Sequence, residues 1–200
     1  MPPRRRRERS AKRLNSPDGP GDRRGPPCPY EVLTRLPGAD VRLVAETPGE
    51  KATDGGPLKL MADHALAEVP GPEIVVESVL GWLRSAHERS RWTTSVCWGS
   101  AGLGAAGLLE RREATSHWLA RDGLAQYGAR PVDERVVISG KVVTSAGVSA
   151  GIDMAALEAG TAVAQQMRLL IEYNPQPPFD AGSPDRAPVE VVEALRGRRA

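Results

Sequence analysis

A single cysteine ends a β-branched run in Trp92–Leu109, WTTSVCWGSAGLGAAGLL, and small residues able to open a helix follow at once. That order predicts a sharp strand-to-helix turn with Cys97 at its apex, a geometry used to expose a nucleophile. A thiol there faces the amides and partial positive charge of a helix N-terminus, both of which favour thiolate. His117, in an expected neighbouring strand, is the candidate to orient or deprotonate it, since Cys–His pairing is a recurrent means of activation. Two structural readings stay open beside these: a packed, inert thiol and a histidine that only makes a structural hydrogen bond.

Gly102, Gly104 and Gly107 satisfy a G-x-G-x-x-G pattern. A dinucleotide site also needs an acid at the end of the next strand. Asp122 comes too early and falls in an expected helix, so the glycines read as packing residues and no cofactor is expected. No Cys/His cluster has metal-ligand spacing, so no metal is expected. Asp153 sits early in an expected helix, where the dipole alone favours a carboxylate. His64 and His87 read as surface residues, and Cys28 has no evident partner.

The elements that must hold these residues alternate along the chain. Tyr30–Leu36 reads as a short helix, Ala39–Ala45 as a strand, Pro48–Gly56 as turns and Pro57–Met61 as a short strand. Glu73–Val76 is a buried-strand candidate, Ser78–Ser90 a helix, Ala114–Trp118 a strand and Leu119–Tyr127 a helix. Ser139-Gly140 marks a two-residue hairpin between Arg135–Ile138 and Lys141–Ser145. Val148–Tyr173 is helical with a break near Gly160, and Val189–Arg196 is a final short helix. Such alternation implies an α/β layer structure with a mostly parallel sheet.

Of the 200 residues, 40% are hydrophobic and 26% charged, a soluble globular composition in which aliphatic side chains do most of the packing. No apolar run approaches the roughly 20 residues needed to cross a bilayer, and no secretory signal precedes the domain. Two cysteines without an export signal point to a reducing compartment, the cytoplasm by default. The net charge of +2 hides nine Lys/Arg against three Asp/Glu within the first 24 residues. Residues 1–28 therefore read as a disordered basic Arg/Pro-rich tail and 29–200 as the folded domain. Such an arm can touch phosphates without reading sequence, but a solvated extension is the better reading, so no nucleic acid is expected.

The stretch TTSVCWGSAGLGAAGLLERREATSHW (93–118) resembles the cysteine-elbow segment of the ThiJ/PfpI family, within the class I glutamine-amidotransferase-like fold. KVVTSAGVSAGIDMA (141–155) and IEYNPQPPFDAGSP (171–184) are similar to later signatures of its isonitrile hydratase-like branch, and PYEVLTRLPGADVRLVAETPG (29–49) to its first helix and second strand. The resemblance implies a flavodoxin-like α/β three-layer sandwich, a homodimer, a small-molecule substrate or electrophile as partner, and a nucleophilic Cys97. It also implies a lyase reaction in which the thiolate attacks an isonitrile carbon and water releases an N-substituted formamide. Trp98 and Gly99 would then line the oxyanion site, with the Trp98 amide as donor and His117 as base or orienter.

The chain departs from the family in ways that bear on catalysis. The family's L-D-x-x-G segment supplies an Asp near the thiol; its position here is Gly25, and the Arg/Pro tail stands where the first strand belongs. A Gly-Gly loop that helps form the oxyanion site is replaced by Glu77-Ser78. The residue after the cysteine is Trp98 rather than Thr. Loss of an oxyanion donor costs about 10²–10³ in rate, and loss of a placed acid/base about 10²–10⁴. The expectation is therefore an impaired hydratase or hydrolase lacking its first strand. The alternative is a non-catalytic ligand-binding or thiol-sensing domain, related to the amidotransferase-like domain of AraC-type transcription regulators.

Overall fold

Short apolar runs separated by helical stretches cannot bury both strand faces by themselves, so they stack into a sheet covered on each side by helices. The computed structural model describes residues 10–13, 27–52, 59–76, 80–158 and 160–197. β1 (Ser10–Arg13) precedes α1 (Pro27–Leu33), β2 (Val41–Ala45), β3 (Gly49–Ala52), β4 (Lys59–Ala62), β5 (His64–Ala65) and β6 (Ile74–Val76). Next come α2 (Leu80–Arg89), β7 (Trp92–Val96), α3 (Gly99–Ala105), β8 (Glu113–Ala114) and β9 (Arg130–Pro131). The chain continues through β10 (Val136–Ser139), β11 (Val142–Ser145), α4 (Ala150–Glu158), α5 (Thr161–Leu170) and α6 (Val189–Gly197).

The main sheet runs β10-β11-β7-β6-β1-β2-β5, parallel except for the β10–β11 hairpin. Alternation along its strands separates two cores. Ile74, Val76, Val96 and Val143 pack with Val32, Leu33, Met154, Ala155 and Met167 on one face. Val75 and Val142 turn the other way, onto Leu83, Ala86, Leu103, Leu109 and Leu124. This is the expected three-layer α/β sandwich. Among the described residues, no helix is long and apolar enough to cross a membrane.

Four expectations need correction. The slot of the first strand is filled: Ser10–Arg13, inside the supposed tail, pairs in parallel with both β2 and β6. The remaining tail residues, 1–9 and 14–26, lie outside the described residues, as do Gly25 and the Glu77-Ser78 replacement. The Pro48–Gly56 turn region contributes a strand instead, β3 pairing antiparallel with β4. Of the strand expected over 114–118, only β8 forms, and Leu119–Tyr127 becomes a 3₁₀ helix over Arg121–Tyr127. The break near Gly160 is real; Gly160 caps α5 with φ of 82°.

His87 is not the surface residue its sequence context suggests. At the amino edge of the sheet its Nδ1 lies 2.8 Å from Thr93 Oγ1, which also meets Ser90 Oγ at 2.9 Å. The Lys141 ammonium closes the end of α2 by donating to the carbonyls of His87, Glu88 and Ser90. Burial, then Lys141, then Arg112 push the His87 pKa below its usual 6.5, against a smaller opposing pull from Glu88. A depressed base stabilises the fold while neutral, so this contribution is complete above about pH 6.5 and is lost as pH falls through the folded value. Thermal melting between about pH 7 and pH 5 should therefore fall more steeply in the wild type than in His87→Gln. Equal slopes would show that His87 titrates as it does in the unfolded chain.

Candidate active site

The strand β7 delivers Cys97 to the carboxyl edge of the sheet, and the chain reverses there. Cys97 has φ of 62°, Trp98 already has helical angles as the cap of α3, and α3 begins at Gly99. A left-handed conformation costs a non-glycine residue about 1–2 kcal/mol, so surrounding bonds must hold it. They do so from two sides: the Cys97 amide donates to the Ser145 carbonyl at 3.0 Å. Its carbonyl accepts from Ser116 Oγ at 2.6 Å and from the His117 amide at 3.3 Å. The expected elbow is present, but the residue is only 1% exposed, within the core cluster that also holds Val96, Val143, Met154 and Ala155.

A web of hydroxyls supports the turn, and sequence reasoning overlooked it. Ser95 Oγ meets Ser100 Oγ at 2.8 Å, and Ser100 Oγ donates to the Thr115 carbonyl at 2.7 Å. The Thr115 amide donates to Thr144 Oγ1 at 2.9 Å, and Ser145 Oγ to the Ser95 carbonyl at 3.1 Å. All of these residues are buried. An abrupt turn at a sheet edge removes backbone groups from the ladder, and each one left unsatisfied in the interior costs about 1–3 kcal/mol. Small hydroxyl residues satisfy them without adding bulk. The signal was in the sequence, as Thr and Ser where a buried parallel strand would ordinarily carry Val or Ile.

His117 does come to the elbow, though from the coil beyond β8 rather than from a strand. Its ring stacks on Trp98 with centroids 6.0 Å apart and planes 16° from parallel. Trp118 lies on from it at 5.9 Å and 34°, and the Arg196 guanidinium of α6 sits 5.8 Å over the Trp118 ring. Nδ1 of His117 accepts from the Leu119 amide at 3.3 Å. That bond occupies the lone pair of Nδ1, so the neutral ring carries its proton on Nε2. Such a ring is set to donate a hydrogen bond rather than to take a proton at Nδ1.

His64 and Asp153, also singled out from sequence, have ion-pair partners of their own. His64 is 3.5 Å from Glu68 across one turn. Asp153 lies in the first turn of α4, ion-paired with Arg135 at 2.6 Å. Among the described residues, no group of three or more His, Cys, Asp or Glu is placed to hold a metal ion. The glycine pattern has a structural explanation at two positions, close packing at one and a helix cap at the other. A Cβ on Gly104 would stand 2.5–2.9 Å from Tyr127, while Gly107, at φ of 77°, ends α3. There the Leu108 amide bonds to the Leu103 carbonyl and the Gly107 amide to that of Gly104, the pairing of a Schellman cap.

Residues 27–158 match the DJ-1/PfpI family. An isonitrile hydratase from Pseudomonas putida is 41% identical over 189 residues, covering 86% of this chain and 82% of the relative. The crystal structure of a ThiJ/PfpI family protein from Pseudomonas syringae superposes with a TM-score of 0.85 at 31% identity, over 96% of this chain and 86% of that one. An AraC family transcriptional regulator from Pseudomonas putida shares the fold, with a TM-score of 0.67 at 14% identity over 82% of this chain and 100% of its own.

Proposed function

Because the chain belongs to the DJ-1/PfpI family, we propose that it is a cysteine-dependent hydratase or hydrolase-type domain whose electrophile is an isonitrile-like carbon. The observation that carries this is Cys97 held at φ of 62°, in a chain 41% identical to an isonitrile hydratase. The thiolate adds to the isonitrile carbon and the carbon takes up a proton, giving a thioimidate. Water then adds across the C=N bond with one proton going to nitrogen. The thiolate leaves as the hydroxyl proton returns to solvent, balancing the one the carbon took up, and the N-substituted formamide departs. Trp98 and Gly99 at the start of α3 offer amides to charge that develops on the substrate. His117, whose amide bonds the Cys97 carbonyl and whose ring stacks on Trp98, orients the turn that carries the thiol. With Gly25 at the family's acid position and Glu77-Ser78 at the Gly-Gly position, turnover is slow.

Gly25 and Glu77-Ser78, in place of the family's acid and Gly-Gly loop, favour a second reading, in which the thiol senses electrophiles or oxidants without turning over substrate. Labelling with iodoacetamide near neutral pH, beside conversion of an alkyl isonitrile, separates the two. Labelling of Cys97 at least about tenfold faster than a model thiol is expected if the elbow lowers its pKa. Formamide appearing with it supports the hydratase; fast labelling without formamide supports sensing. Labelling no faster than a model thiol in the folded protein overturns both.

A further inference from the structure

One exposed guanidinium joins three separate segments at the carboxyl edge of the sheet. Arg135 Nε donates to Asp153 Oδ2 at 2.6 Å, and Nη2 donates to Ser149 Oγ at 3.1 Å and to Tyr173 Oη at 3.2 Å. Its own carbonyl accepts from the Ala146 amide at 3.0 Å. An exposed ion pair alone contributes only about 0–1 kcal/mol, so the value of this contact lies in what it holds still. Planar guanidinium is suited to that, because its donors leave in fixed directions.

What it holds is the turn from β11 into α4. Ser149 and Asp153 flank the first residues of that helix, and Gly151 lies between them. A Cβ on Gly151 would stand 3.1 Å from Val96 Cγ2 and 2.9 Å from Pro29 Cγ. The start of α4 is therefore pressed onto the residue preceding Cys97. The residue leading into the same turn, Ser145, supplies the carbonyl that binds the Cys97 amide. Two independent contacts thus run from the Arg135 cluster to the strained turn.

Tyr173 reaches Arg135 at the expense of strain. α5 closes with the Tyr173 amide on the Arg168 carbonyl and the Glu172 amide on the Leu169 carbonyl. That closure puts Glu172 at φ of 52°, where glycine is the usual residue. The Arg168 guanidinium lies 5.8 Å over the Tyr173 ring, adding a second constraint on where the phenol points. Strain of this kind persists where neighbouring contacts over-determine the backbone.

We propose that Arg135 is a positioning residue for the Cys97 turn, acting through the first turn of α4 and braced by Tyr173. Its consequence for chemistry rests on the reading of Cys97 as the reactive thiol; its structural content does not. The test compares amide hydrogen exchange at Cys97, at the carboxyl edge, with exchange at Thr93, whose amide bonds to the Lys141 carbonyl at the far edge. In folded full-length Arg135→Gln, exchange at Cys97 should rise about tenfold or more with Thr93 unchanged, the signature of local opening. Arg135→Lys should recover part of the protection, and Tyr173→Phe should lose a smaller part. The labelling profile of Cys97 should move to higher pH in the same order.

Acceleration of Cys97 and Thr93 together would mean that Arg135 serves only general stability, and no change at Cys97 would mean that the turn holds itself; either overturns the proposal. If Arg135→Gln does not fold, Tyr173→Phe, which removes one oxygen, decides by the same two amides. Ordinary labelling of wild-type Cys97 would remove the nucleophile reading while the exchange data still decide the positioning role.

Discussion

Cys97→Ala is expected to abolish covalent labelling at the elbow and, on the proposed hydratase function, to lower isonitrile hydration by about 10³-fold or more. No other group in the turn can form the carbon–sulfur bond, and residues acting as one unit lose most of their effect when a single member is removed. The stability of the same position gives the independent half of this prediction. At φ of 62°, alanine keeps the steric penalty of a side chain in the left-handed region, whereas glycine does not. Cys97→Gly should therefore be more stable than Cys97→Ala by about 1 kcal/mol, while both are inactive. Chemical denaturation of the two variants checks this. Equal stability would show that the hydroxyl web and the Ser145 bond relax the turn when the sulfur is removed, so that no strain is stored there.

Gly104→Val should be strongly destabilising, by about 1–3 kcal/mol, the range for forcing bulk into a packed core. The added Cβ would stand 2.5 Å from Tyr127 Cδ2, 2.6 Å from Cγ and 2.9 Å from Cβ. Because the tyrosine's own Cβ is among the close atoms, rotating the ring away does not relieve the overlap; the Arg121–Tyr127 helix has to move. Gly102→Ala is the control. Nothing lies within 4 Å of its added Cβ, so replacing a helical glycine should stabilise by about 0.5–1 kcal/mol. Melting temperatures moving in opposite directions for these two neighbours would establish that the glycine pattern serves the contact with Tyr127. A similar small loss at both would refute it.

The turn at Cys97 was legible because its determinants are local: β-branched residues up to Val96, then small residues able to start a helix. The hairpin was legible for the same reason but one residue out of place: Ser139 pairs with Val142, so the loop is Gly140-Lys141 rather than Ser139-Gly140, and Gly140 has the positive φ of 66° that a tight turn demands. His117 was expected from a neighbouring strand and arrives instead from the coil beyond β8. Its approach depends on Ser116 and the His117 amide docking on the Cys97 carbonyl, contacts that no periodicity records. The glycines were read as packing residues, yet only Gly104 packs closely, on Tyr127 in another helix, while added Cβ atoms on Gly102 and Gly107 meet nothing within 4 Å. His87 was misread because its polar neighbours, Ser90, Thr93 and Lys141, are what bury it. The strand β1 was missed outright: Ser10, Ala11, Lys12 and Arg13 have no β-branched or aromatic member, so only the sheet around them makes them a strand.

That last feature governs how the molecule assembles. Ser10 aligns with Val41 on one side and Ile74 on the other, so β1 has both partners only after the chain through β6 has been made. Until β1 docks, β2 and β6 face a vacant groove with unpaired amides and carbonyls on both walls. Closing such distant segments is slow, and any extended backbone satisfies the same hydrogen bonds. The corresponding segment of a second molecule fits that groove as well as the chain's own. Refolding yield should therefore fall as protein concentration rises, with exchanged dimers among the products.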